Sequence, residues 1–288
     1  MGFANVRTLV DAELDGQSTY ATWRKSPSQA STAGLWFDLS MSPGNPVPQY
    51  YASSPLVGKT LSQSQDGGLY HGGPVAPATK HLKRLTALAT VATGVPMPLI
   101  LCDYLLYYPF VDEGSTDVQP LDNTQTITRY TSGAGVQVMA VSLASRTGGA
   151  QFQITYTNSD GVAGRVSQVQ TQNTGTANGN IVTSRNAGTT PTSTGPFIGL
   201  QGTDTGVRLI ESVQMLAPDV GLFALVLVRP LAQCNILGID AAVETNYLDD
   251  YNQLPVIADD AYLGFLCNPR GSLGATAIHG DITTVWSA

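Results

Sequence analysis

Several stretches of the chain alternate apolar and polar residues with period two. Gln151 to Thr157 does so cleanly: Phe152, Ile154 and Tyr156 point one way and Gln153, Thr155 and Thr157 the other, as in a half-buried strand. Asn158-Ser159-Asp160-Gly161 then signals a turn, and Val162 to Val169 can pair back as a hairpin. Val207 to Met215 places Val207, Leu209, Val213 and Met215 on one face. Ala217-Pro218-Asp219 turns the chain into Val220 to Val228, a continuous apolar run that predicts a fully buried strand. Pro98 to Pro109 is apolar and aromatic, with Tyr104, Tyr107 and Tyr108. Val136 to Leu143 reads as a strand whose alternation slips near Val138-Met139, which suggests a bulge. Ala261 to Leu266 and Ile282 to Trp286 complete the series.

Two segments read at the helical period instead. Val6 to Leu14 puts Val6, Leu9, Val10 and Leu14 on one side and meets Gly16, a helix stop. Ala78 to Thr93 spaces Leu82, Leu85, Leu88, Ala89 and Ala92 as a helix does, with Lys80, Lys83 and Arg84 opposite and Gly94 and Pro96 beyond. About nine or ten short strands with turns between them predict a mainly β chain. The expected architecture is an antiparallel two-sheet sandwich, jelly-roll-like, with an extended N-terminal arm and one helix at about 78–93.

The arm is residues 1–75, and the β-sandwich domain is residues 76–288. Pro43, Pro46, Pro48 and Pro55 oppose interior sheet pairing. The same stretch carries Trp23, Trp36, Phe37, Tyr50 and Tyr51, which need a surface to lie on. That surface is either the chain's own core or a neighbouring subunit, and these five aromatics are the candidate partner-binding residues. Gly67-Gly68-Leu69-Tyr70-His71-Gly72-Gly73-Pro74 marks the hinge. A polar insertion at about 168–206 holds only Arg185 and Asp204 as charged residues and is otherwise rich in Thr, Asn, Gln, Gly and Ser. It reads as a surface loop or small β excursion, or as a contact surface for a partner or a glycan.

Charge sharpens this picture. The 288 residues carry a formal charge of −7, with charged residues only 12% of the chain. An acidic chain is a poor general nucleic-acid binder. Seventeen Asp stand against four Glu, and ten Arg against four Lys, a balance that favours turns over exposed helix. The longest clean apolar run, nine residues, cannot cross a bilayer as a helix, so no membrane partner is expected. Asn5, Arg7, Asp11 and Glu13 interrupt any signal-like apolar stretch at the N-terminus. Cys102, Cys234 and Cys267 are odd in number and form no CxxC pair, so neither a disulfide framework nor a zinc site is expected.

Candidate chemistry is sparse. His71, His81 and His279 are scattered without metal-ligand spacing, and there is no G-x-S-x-G elbow and no P-loop. Gly133-Ala134-Gly135 lacks the third glycine of a dinucleotide site. The acidic pairs Asp249-Asp250 and Asp259-Asp260, with Glu244 nearby, are loop borders, a cation site or the carboxylates of a glycan hydrolase. Lys80, Lys83 and Arg84 form the one basic cluster, expected as a solvated helix face. No catalytic residue, cofactor or metal is assigned, and the chain does not read as an enzyme.

Three stretches carry a resemblance: Tyr20-Ala21-Thr22-Trp23-Arg24-Lys25, the run from Gly34-Leu35-Trp36-Phe37-Asp38 to Asn45-Pro46, and Leu101-Cys102-Asp103-Tyr104-Leu105-Leu106-Tyr107-Tyr108-Pro109. With the Thr/Asn/Gly/Gln loops, they resemble virion structural proteins of tailed bacteriophages. The resemblance implies a copy-rich particle component, assembled in the host bacterial cytoplasm and located in the virion. Its expected role is a capsid cement or decoration protein, a homo-oligomer with a trimer favoured. It would clamp the major capsid protein or other virion proteins through the arm at roughly Trp23 to Pro55. The alternatives are a tail, head-fibre or receptor-binding component that contacts host glycans, a major capsid subunit, and a β-sandwich glycan hydrolase.

Overall fold

Two strands set the dimensions of the fold. Met97–Asp112 and Leu222–Ile236 have 16 and 15 residues and pair antiparallel from Leu222 opposite Asp112 to Ile236 opposite Met97. At about 3.3 Å per residue each reaches roughly 50 Å, more than one layer of side chains can cover. The computed structural model describes residues 3–28, 31–185, 195–248 and 254–287. Among them the chain is mainly β, an antiparallel sandwich built from three sheets with two helices, where two sheets are the expectation from the sequence.

The long pair lies in the central sheet, in the order Phe37–Asp38, Leu263–Cys267, Met97–Asp112, Leu222–Ile236, Gln137–Ser142, with Lys59–Thr60 also on Met97–Asp112. One face of the pair is covered by two different sheets. Near Met97, Leu99 and Leu101 with Ala232 and Cys234 pack on Leu82, Leu85, Ile278 and Ile282. Those residues belong to a sheet ordered Val243–Asn246, Lys80–Ala89, Ile278–Trp286, Ser18–Lys25, Gly44–Asn45. Near Asp112, Leu106 and Tyr108 with Leu225 and Leu227 pack on Phe152, Ile154, Ile210 and Val213. These come from a sheet ordered Arg165–Val166, Gln151–Asn158, Val207–Met215, Gln119–Pro120. A register shift leaves Leu105 as an extra residue, so the inward positions pass from odd (Leu99, Leu101) to even (Leu106, Tyr108) without leaving that face.

The opposite face is covered by the N-terminal segment. Cys102, Tyr104, Tyr107, Ala224, Val226 and Val228 form a third core with Tyr51, Leu61, Ile181 and Tyr262. Residues 179–182 join the two edges of the central sheet. Asp38 N–H donates to Gly179 O (2.8 Å) and Ile181 N–H to Trp36 O (2.9 Å). On the other side Ser142 N–H donates to Asn180 O (2.9 Å) and Val182 N–H to Ala140 O (2.8 Å). Residues 170–184 of the expected polar insertion are therefore part of this closure rather than a loop on the surface, and Asn173 and Asn180 are buried there; residues 186–194 lie outside the described residues. The Asn173 amide donates to Ile181 O and Ser184 O (both 2.7 Å) and accepts from Gly175 N–H, which satisfies the buried side chain in full. Gly264 is where the backbone leaves room for the Tyr104 ring, since a Cβ there would lie 2.7 Å from it.

The helix expected at 78–93 is instead the strand Lys80–Ala89. A register shift against Thr283/Thr284 leaves Lys83 as an extra residue, so Leu82 and Leu85 both face inward three positions apart. Bulge spacing imitates helix spacing there, and pairing on both sides overrides the local helix propensity. Bulges also move the inward set of Val207–Met215 to Val207, Ile210, Val213 and Met215, leaving Leu209 half-buried. Gln137–Ser142 carries no bulge, because its register with Phe223–Val228 is unbroken. Its alternation slips because both faces are buried, Val138 and Ala140 in one core and Met139 and Val141 in another. The helix Val6–Leu14 forms as expected, capped by Asn5, but it buries Leu9 and Ala12 and leaves Val6, Val10 and Leu14 exposed.

Residues before 76 thus enter two sheets. Ser18–Lys25 pairs along its whole length with Ile278–Trp286, and Trp23 stacks on Phe265 at 4.1 Å between ring centroids. Removing residues 1–75 is expected to abolish cooperative thermal unfolding and expose apolar surface to a hydrophobic dye, because both flanking cores lose a wall. A truncated 76–288 chain that melts cooperatively with an unchanged near-ultraviolet spectrum contradicts this.

Candidate functional site

Two charged groups of the N-terminal segment, Lys25 and Asp38, are placed inward. Lys25 is buried, and its ammonium donates to Ser42 O (3.0 Å) and Pro46 O (2.6 Å), with Ser40 O at 3.4 Å. Three carbonyls meet the three donors of a lysine. Burial pulls its pKa down to about 8, partly offset by the Asp38 charge. The Asp38 carboxylate is fully buried and accepts from Tyr51 OH (2.5 Å), Tyr104 OH (2.8 Å) and Ser40 N–H (2.9 Å). Burial raises its pKa, and these hydrogen bonds work against the rise. Asp38 and Tyr51 come from the first 75 residues and Tyr104 from the long strand, so the cluster fastens one to the other.

A second buried cluster fastens the glycine-rich stretch. Lys80 donates to Gly73 O (2.9 Å) and reaches the His71 Nδ1 at 3.2 Å. A lysine only donates, so Nδ1 accepts, and Nε2 carries the hydrogen that it donates to Ala261 O (3.0 Å). Burial first, and then the Lys80 charge, pull the His71 pKa down to about 4. Asp259 lies 4.0 Å from Lys80 and accepts from Val75 N–H (3.0 Å). Asp260 accepts from Ser64 N–H (2.8 Å) and Ser64 OH (3.0 Å). Asp259 and Asp260 therefore hold the 63–75 stretch in place rather than facing a substrate together. Asp249 and Asp250 lie outside the described residues.

The five aromatic candidates divide. Trp23, Phe37 and Tyr51 lie in the chain's own cores, and Trp36 is half-buried against the third core. Tyr50 is exposed. The expected basic cluster is dispersed. Lys80 is buried, Lys83 meets Glu13 at 2.7 Å, and Arg84 lies between Asp281 (3.2 Å) and Glu244 (3.7 Å). All three cysteines are buried and free. Among the described residues no group of three or more His, Cys, Asp or Glu gathers to hold a metal ion, and no helix is long and apolar enough to cross a membrane.

Among the described residues there are two larger surface depressions and a small one at Phe37 and Tyr50. The larger is a groove of about 660 Å³ beside the Leu222–Ile236 strand, beyond the point where Gln137–Ser142 stops pairing with it. Its walls include Phe197, Leu231, Leu254 and Val256, with Arg229 and Tyr130 at one side. Among the described residues Arg84, Arg129, Arg146 and Arg165 each meet a carboxylate, whereas half-buried Arg229 meets none. Its guanidinium donates to Ala134 O and lies 5.5 Å from the centre of the Tyr130 ring. Gly135, at φ +68°, leaves the space that this guanidinium fills. The Tyr130 hydroxyl is buried without a hydrogen-bond partner, and burial raises its pKa to about 12. The sequence holds a signal for this groove: Arg229-Pro230 breaks the apolar run Leu222 to Val228 in mid-strand.

The second feature is the open face of the first sheet, the one that holds Ser18–Lys25 and Ile278–Trp286. There Tyr20, Thr22 and Arg24 lie beside His279, Asp281 and Asn45 in a depression of about 510 Å³.

Two measurements check the internal clusters. Tyr51→Phe removes one donor to buried Asp38 and is expected to cost about 1–3 kcal/mol of stability in denaturant titration; an unchanged midpoint contradicts the assignment. The His71 pKa is lowered, so below pH 6.5 the unfolded chain takes up a proton that the folded chain refuses. Stability from this group is present above about pH 6.5 and is lost as pH falls towards about 4. Between pH 7 and 4.5, the native chain should lose up to about 3 kcal/mol relative to His71→Gln; parallel pH profiles contradict it.

Compared with protein-family models and with curated proteins, the chain matches none.

Proposed function

We propose that this chain is a virion structural protein, a capsid cement or decoration protein that assembles as a homo-oligomer on a bacteriophage head. One observation carries the reading. Among the described residues, the buried groups Lys25, Asp38, His71, Lys80 and the Glu113–Arg146 pair are spent on holding the chain to itself. The surface of this charge-poor chain carries apolar side chains at Val6, Val10, Leu14, Val118, Leu216 and Val220. Such a block suits repeated contacts with neighbours, in which many weak contacts add up. The contact with the capsid then falls to exposed groups such as Tyr50 and to the end loops, since Trp23, Phe37 and Tyr51 are held inside.

The open face of the first sheet favours a second reading, a tail or head-fibre component that binds glycans. An exposed Tyr20 beside Thr22, Asn45 and Asp281 offers a ring for stacking and polar groups for sugar hydroxyls.

The test is co-sedimentation of the full chain with phage heads that lack it. Saturable binding with a fixed copy number per capsid is expected. Absence of head binding together with a positive glycan array that is lost in Tyr20→Ala overturns the cement reading in favour of the second.

A further inference from the structure

We infer that the Arg229 groove is the socket for a second copy of this chain, and that the plug is the acidic, apolar tip formed by Asp112–Val118 and Leu216–Val220. The inference rests on the reading of the chain as an assembling protein and names the surfaces that assemble.

The socket has one charged group, and it is a cation without a carboxylate among the described residues. Its walls are mostly apolar, with Gln233, Tyr130 and Tyr247 the polar side chains beside Arg229. Pro230 lacks a backbone donor, and a register shift leaves Leu231 as an extra residue, so the exposed stretch of strand there is blunted against strand addition. The occupant is therefore a set of side chains, with a carboxylate for the guanidinium and apolar groups for Phe197, Leu254 and Val256.

The tip offers that set. Val118, Leu216 and Val220 are 55%, 44% and 61% exposed, close together at the Asp112 end of the long strands. Asp112 and Asp117 are exposed beside them, and residues 112–118 and 216–221 contain no Lys or Arg. Glu113 and Asp219 are already engaged, the first by Arg146 and the second by the N–H groups of Thr147, Gly148 and Val220. That leaves Asp117 to meet the guanidinium of another copy, with Asp112 beside it, whose carboxylate already accepts from Gly114 N–H (2.8 Å).

The tip lies at the start of the strand that carries the socket, and Leu222 and Arg229 on that strand are seven residues, or about 23 Å, apart. A chain cannot plug its own socket across that distance without unfolding the strand. Two different patches that complement each other make a head-to-tail contact, which closes into a ring when the rotation between copies allows.

The experiment is light scattering of the full chain, of a tip variant (Leu216→Asp with Val220→Asp), and of two socket variants (Arg229→Glu and Val256→Asp). Val256 is a surface residue, so its variant keeps the test alive if Arg229→Glu fails to fold. The native chain is expected at a multiple of 30.3 kDa, and the folded variants at the single-chain mass. A tip variant mixed with a socket variant should form a one-to-one dimer, because one intact tip then meets one intact socket. A native chain that stays monomeric at all concentrations overturns the inference. So does an oligomer that survives either kind of variant, or a mixture that stays monomeric. If the ring forms but heads are not bound, the virion role falls and this contact stands.

Discussion

Everything in this fold answers to one constraint: two strands of 16 and 15 residues, paired almost end to end, with apolar side chains on both faces. Such a pair buries nothing alone and needs cover along about 50 Å on each side. Two separate sheets share one face, and the N-terminal segment with residues 179–182 closes the other. The bulge at Leu105 keeps both halves of the long strand aimed at their covers while the strand bends. The first 75 residues, expected as an extended arm, are therefore a wall of the core.

Polar burial makes this cover specific. Aromatic side chains alone could slide over an apolar sheet. Asp38 cannot, because its carboxylate is stable in the interior only where Tyr51, Tyr104 and Ser40 donate to it. Lys25 is likewise tied to one arrangement of the carbonyls of Ser42 and Pro46. These groups register the segment on the sheet, while the low share of charged residues, 12% of the chain, is the property on which the proposed assembly role depends.

The sequence made the mainly β character, the Val6–Leu14 helix and the Gln151–Asn158 strand legible, because one-sided alternation and a capped helix are local signals. It misled where a bulge interrupts the period. Leu82 and Leu85 share a face through Lys83, and so look helical. Burial on both faces similarly hid the regular pairing of Gln137–Ser142. Trp23, Phe37 and Tyr51 were legible as residues needing a surface, but which surface was not: Asp38 meets Tyr104 across 66 residues, and His71 meets Ala261 across 190. No local pattern encodes such partners. Arg229 breaks an apolar strand, a signal the sequence reading does not use, and that it meets no carboxylate among the described residues appears only in three dimensions.

The claim that the N-terminal segment and the central sheet form one cooperative unit is tested most directly by native-state hydrogen exchange. The account predicts that the amides of Ser18–Lys25 and of Leu61 open with the same free energy as those in Met97–Asp112 and Leu222–Ile236. Fast exchange throughout 18–61 with the long strands still fully protected would contradict it.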